Sequence, residues 1–278
     1  MAAKGRAKKA AVDKSTLGWV TLGRLVGAGA TGIGACPRIL VAMWIVPLAA
    51  TAIAAAFAVR LAQQFIARRG QAQLLWAIAM GMFAVASAAV TIGVASGWSS
   101  TLYGVYWALG AVLNVAYLAG GELVLLFRRP WVRWVVWLVL IFATAYTVSV
   151  LANADMSTDA LAVQLPRGIK VFGDGTPAHR LAQLVAYPAY VILLLGTLWS
   201  AWKMRGRPEL KDRFVGTLLI AIGATVVAAG AAFAATGLLV GFIATLVAGI
   251  CVMFWGFLRA SRPIVLPNAV PESVRENA

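Results

Sequence analysis

Long apolar runs separated by short, mostly basic segments dominate the chain from residue 39 onward. A helix needs about 20 apolar residues to cross about 30 Å of hydrocarbon at a rise of 1.5 Å per residue. Seven runs reach that length: 39–59, 74–95, 101–127, 134–152, 181–202, 214–235 and 237–258. The last two are continuous in composition, with no charged residue from Phe214 to Leu258. As one helix that stretch would be about 67 Å long, twice the hydrocarbon thickness, so it must turn. The turn is expected at Thr236-Gly237. None of the runs alternates apolar with polar residues, and each is about twice the length of a barrel strand, which excludes an outer-membrane β-barrel. The predicted fold is all-α, a polytopic membrane bundle of seven transmembrane helices.

Composition agrees. The chain has 278 residues, 62% hydrophobic and 12% charged, with a mean hydropathy of +0.87. Soluble domains carry about 25% charged residues, so a soluble enzyme is excluded. The expected organisation is a basic tail with an interfacial or re-entrant segment over 1–36, a bundle over 37–259, and a tail over 260–278. The net charge of +15 would suggest nucleic acid in a soluble chain. Here the cations cluster between spans, as in Arg128, Arg129 and Arg133 or Lys203, Arg205, Arg207, Lys211 and Arg213. That is the positive-inside pattern. It predicts anionic lipid headgroups, not nucleic acid, as partners of the basic loops.

The same rule places the 60–73, 128–133, 203–213 and 259–278 segments in the cytoplasm, giving a cytoplasmic C-terminus in the inner membrane. Residues 1–24 conflict with it, because Lys4, Arg6, Lys8, Lys9, Lys14 and Arg24 would then lie outside. Three readings resolve the conflict: an eighth or re-entrant span over 16–36, an interfacial helix, or a cleaved signal ending near Cys36. The glycine content of 16–36 and Pro37 directly after Cys36 favour the interfacial or re-entrant reading.

Candidate chemistry is sparse. His179 is the single histidine, and no nucleotide-binding loop, nucleophile elbow or metal-binding motif occurs, so neither enzymatic activity, a cofactor nor a metal is expected. Glu122 is the one carboxylate inside a predicted span. It lies about 9 Å from the following basic loop, within reach of interfacial water or a basic partner. In the third span Tyr103, Trp107, Gly110, Asn114, Tyr117 and Gly121 repeat at helical spacing. They predict one inward stripe with the Asn114 amide bonded across the interface.

In the fifth span His179, Gln183, Tyr187 and Tyr190 share a face; Tyr146 and Ser149 share one in the fourth, with Asn153 beyond them. Together they are the candidate ligand-binding residues of a pocket under the 153–180 loop, suited to a small amphipathic molecule. The loop itself, with Pro166-Arg167-Gly168 and Gly173-Asp174-Gly175, reads as a small hairpin. Trp98, Trp131, Trp134, Trp199 and Trp202, at span ends, read as interfacial anchors.

The basic 203–213 segment, the span over 214–235, the Thr236-Gly237 turn and a last helix ending Gly256-Phe257-Leu258-Arg259 resemble the seven-helix membrane input domains of bacterial sensor histidine kinases. The likeness covers about a third of the chain. It implies a sensor-like or ligand-binding module. The family continues into a coiled linker and a kinase core, whereas this sequence ends at Ala278, so a module without its own output is expected, its signal passing to a membrane-protein partner. Two other classes stay open: an accessory subunit of a membrane complex, and a small-solute transporter or channel.

Overall fold

A computed structural model of the chain describes residues 37–127 and 129–262. The expectations for residues 1–36, for Arg128 and for the tail beyond Arg262 fall outside the described residues. The helices form one compact unit from Ala42 onward; of the preceding unit, Met1–Val41, the described residues 37–41 are helical.

Seven helices are long and apolar enough to cross a membrane: α1 (Ile45–Ala67), α2 (Gln71–Ser96), α3 (Ser100–Leu126), α4 (Pro130–Ala152), α5 (Pro177–Met204), α6 (Pro208–Thr236) and α7 (Leu239–Ala260). The chain is a multi-pass membrane protein with the all-α bundle expected from hydropathy, and no strand occurs among the described residues. The helix that carries the first span runs from Pro37 to Arg68, past both ends of the apolar run, and Arg60 lies inside it.

Helix ends follow local chemistry. Ser99 caps α3, its hydroxyl accepting from the Leu102 amide at 3.1 Å, and Pro130 opens α4 where a missing amide costs nothing. The turn between α6 and α7 falls at Gly237, as expected from sequence. Gly237 sits in the left-handed region at φ 78°. Its amide donates to Ala234 O at 3.1 Å and the Leu238 amide to Phe233 O at 3.0 Å. This paired closure caps α6 and needs a residue without a Cβ at the turn.

Small residues set the closest helix contacts, as they must where lipid removes the hydrophobic drive for association. Between α6 and α7 the backbones nearly touch. A Cβ added to Gly216 would fall 2.5 Å from Gly256 O, and one on Gly249 2.8 Å from Gly223 O. The pairing is reciprocal, since a Cβ on Gly256 would meet Gly216 O at 2.7 Å and one on Gly223 would meet Gly249 O at 2.7 Å. At the open end of this hairpin Arg259 Nε donates to Asp212 Oδ1 at 2.9 Å.

Helix α3 is central. Trp76 of α2 lies against Gly121 and donates its indole N–H to Leu118 O at 3.1 Å. Val136 and Leu140 of α4 pack on Gly120. Gly196 of α5 covers Glu122, and Tyr106 meets Phe242 of α7 edge-on. Helix α1 joins through Pro47, Ala50, Ala54, Phe57 and Leu61, buried at a 3-4-3-4 spacing, with Phe57 against Phe254 and Phe257. Residues 69–70, Phe127, Arg129 and residues 205–207, with the end of α7, lie at one end of the bundle, here the basic end. The 97–99, 153–176 and 237–238 connections form the loop end.

Candidate functional site

The loop end is closed by a plug. The 153–176 segment is not a hairpin: it folds as two short helical turns, Thr158–Leu161 and Gly168–Phe172. Its apolar residues Leu161, Leu165, Val171 and Phe172 point into the core, and burying them is more favourable than pairing two edge strands in a lone hairpin. Two aromatic donors hold its backbone, and a third holds the first turn of α5 that follows it. Trp98 Nε1 donates to Gln164 O at 2.9 Å, the Tyr103 hydroxyl to Pro166 O at 3.4 Å, and Trp107 Nε1 to Ala178 O at 3.0 Å. Trp98 is therefore a buried structural donor and not the interfacial anchor expected from its position at a span end. Trp131, Trp134, Trp199 and Trp202 are exposed, as such anchors require.

Gly168 lets the loop settle on Trp107, where an added Cβ would fall 2.3 Å from the ring. Trp107 also packs on Phe172 and stacks on His179, 6.4 Å between centroids and 24° between planes. On the far side Arg167 lies over the α6–α7 turn, its Nε 2.7 Å from where a Cβ on Gly237 would stand. The plug thus links α3, α5 and the tip of the α6–α7 hairpin.

The start of the same loop roofs a lateral groove between α3 and α4, with a volume of about 580 Å³. Gly104 and Ala108 of α3 and Val148 and Ala152 of α4 form its walls, and Met156 closes over Gly104. Ser100, Thr101 and Asp155 provide the polar mouth. Asp155 is exposed and makes no ion pair among the described residues. The walls suit an acyl or other apolar chain. The mouth suits a head that donates hydrogen bonds or carries positive charge, because Asp155 would repel an anion. A second recess of about 420 Å³ opens at the loop end between Trp98 and the Thr158–Leu161 turn.

The residues expected to form a pocket between the fourth and fifth spans separate. His179 turns inward to Trp107. Gln183 and Tyr187 are exposed, and Tyr190 reaches α6, donating to Thr225 Oγ1 at 3.0 Å. On α4, Ser149 is exposed and Tyr146 stacks on Phe142 at the surface. No hydrogen bond or ring contact joins the two sets among the described residues. The physical reason lies in α5, which is π-helical over Ala182–Ala186. A π turn holds more residues than an α turn, so a face drawn at 3.6 residues per turn does not run through it. Helix α3 has a longer π stretch over Trp107–Leu113, packed against that of α5. This stretch also divides the expected α3 stripe. Tyr103, Asn114, Tyr117 and Gly121 are buried, whereas Trp107 and Gly110 are partly exposed. Tyr117 hydrogen-bonds Thr144 of α4 at 3.1 Å.

The two intramembrane polar groups also differ from expectation. Asn114 is buried, but its Oδ1 has no hydrogen-bond partner, so the amide does not close the cross-interface bond its position suggests. Glu122 is 3% exposed, wedged against Gly196, and its Oε1 makes no hydrogen bond. It forms no ion pair with a basic residue among those described. Those residues hold no cluster of His, Cys, Asp and Glu able to bind a metal. Comparison with protein-family models, with curated proteins and with solved structures finds no match for this chain.

Proposed function

We propose that the protein is a sensor-like, ligand-binding membrane module that takes a single-chain amphiphile into the groove between α3 and α4. The observation that carries this reading is the groove itself. It is apolar along its walls, polar at its mouth, and roofed by residues 154–156 of a loop pinned to the bundle core. Occupancy would press on Met156 and hence on the plug, which reaches the α6–α7 tip through Arg167. That route supports a sensing role over a purely structural one. The resemblance to seven-helix sensor input domains agrees with it.

A diazirine-bearing single-chain amine in detergent micelles or nanodiscs tests the proposal. Labelling should concentrate in the peptides covering 100–109 and 148–156, and an anionic carboxylate analogue should label them less. Gly104→Leu should cut that labelling at least fivefold without loss of fold, since an added Cβ there meets only the tip of Met156 at 3.5 Å. Labelling spread evenly over α1, α4 and α6, or unchanged in Gly104→Leu, would reject the groove. The exposed α4 face, including Trp134, Leu138 and Phe142, would then favour an accessory subunit of a membrane complex.

The orientation we infer puts the basic end in the cytoplasm of a cell with the chain in its inner membrane. Lys170 is exposed at the loop end. Lys170→Cys should therefore react with a membrane-impermeant maleimide in intact cells, and labelling only after permeabilisation would reverse the assignment.

A further inference from the structure

We propose that the basic end of α5 is a binding site for one anionic phospholipid, with its phosphodiester held by Lys203 and Arg205. Lys203 Nζ lies 5.2 Å from the Trp199 ring centre, and the Arg205 guanidinium lies 5.8 Å from that of Trp202. Both distances are those of cation–π pairs. The two rings are 57% and 69% exposed, so they hold the cations at the surface of the helix instead of drawing them into the protein.

No carboxylate among the described residues forms an ion pair with these cations. Of the two nearby acids on α6, Glu209 is exposed and pairs with neither cation, while Asp212 is taken by Arg259 at 2.9 Å and approached by Arg262 at 3.8 Å. Lys203 and Arg205 form no ion pair among the described residues, and Arg207, Lys211 and Arg213 add exposed positive charge beside them. A soluble anion would satisfy the charge alone. A phospholipid also satisfies the surface directly below, where Val191, Leu195 and Leu198 are exposed on the same helix. Acyl chains lie along these side chains while the headgroup meets the cations, with the tryptophans at the boundary where such rings are enriched. The site is at the opposite end of the bundle from the groove and stands independently of it.

Native mass spectrometry of the detergent-solubilised chain, titrated with phosphatidylglycerol, reads the site directly. A phosphatidylglycerol adduct is expected at concentrations where phosphatidylcholine gives none and inorganic phosphate does not displace it. Each cation near a membrane surface contributes about a fivefold factor in binding, so K203Q/R205Q should bind about 30-fold more weakly. K203R/R205K should retain the adduct. K203Q alone, a change at an exposed position, should lose about fivefold and keeps the test valid if the double variant does not fold. Equal adducts in wild type and K203Q/R205Q, equal binding of phosphatidylcholine, or displacement by inorganic phosphate would each overturn the proposal.

Discussion

Gly223→Val should lower the thermal midpoint in detergent by about 10 °C. The first added carbon would fall 2.5 Å from Met253 Cγ, 2.7 Å from Gly249 O and 2.7 Å from the Met253 amide nitrogen. Two of these atoms are backbone and cannot rotate away, so α6 and α7 must separate. Overpacking costs about 1–3 kcal/mol where side chains can yield, and more where they cannot. About 3 kcal/mol corresponds to 6–12 °C for a domain of this size. Separation also weakens the reciprocal contact at Gly249, because each glycine faces the other's carbonyl. The matched control is Gly81→Ala in α2, where an added Cβ meets nothing within 4 Å. That change should be neutral or stabilising by about 0.5–1 kcal/mol. A Gly223→Val midpoint within 2 °C of wild type would show that the hairpin contact does not hold α6 in place.

Trp107→Ala should release the loop plug. The substitution removes a ring that contacts Gly168, Phe172 and His179, and with it the indole hydrogen bond to Ala178 O. Truncating a large aromatic costs about 3–5 kcal/mol, and the lost hydrogen bond adds about 0.5–1.5 kcal/mol. Trypsin reports the consequence locally. Arg167 and Lys170 are exposed, but their backbone is held in a helical turn, with the Lys170 and Val171 amides donating to Arg167 O at 2.9 and 3.0 Å. Cleavage there should be slow in the wild type and at least tenfold faster in Trp107→Ala. Trp107→Phe keeps a ring and loses only the N–H, so its rate should fall between the two. If both variants resist trypsin like the wild type, the loop is held by its own buried residues and not by the aromatic donors.

Hydropathy made the seven spans legible because bilayer thickness imposes their length whatever their neighbours are. The α6–α7 turn was legible for a related reason: an uncharged run too long for one crossing must reverse, and Gly237 is the residue able to close it. Side-chain direction was not legible to the same degree. These helices are apolar on all sides, so polarity does not mark which face meets protein and which meets lipid. The aromatic face drawn along α5 failed because the π turn over Ala182–Ala186 resets the register between His179 and Tyr187. The loop misled through its glycines and proline, which suit a hairpin locally, while Leu161, Leu165 and Phe172 found better burial beneath α3. One signal present in the sequence was the sevenfold spacing of Gly216, Gly223 and Gly230, and of Gly249 and Gly256. It marks the facing stripes of the tightest helix pair in the bundle.

The three aromatic donors at the plug all end on main-chain carbonyls, those of Gln164 and Pro166 in the loop and of Ala178 at the start of α5. Every residue type carries such an acceptor. These hydrogen bonds are therefore blind to side-chain identity in the loop, which is constrained instead at Gly168, by space, and at Leu161, Leu165, Val171 and Phe172, by burial. Substitutions at 154–156 can reshape the roof of the groove while its anchorage stays intact. Selection could thus alter what the groove accepts one residue at a time, without first having to rebuild the closure that holds it.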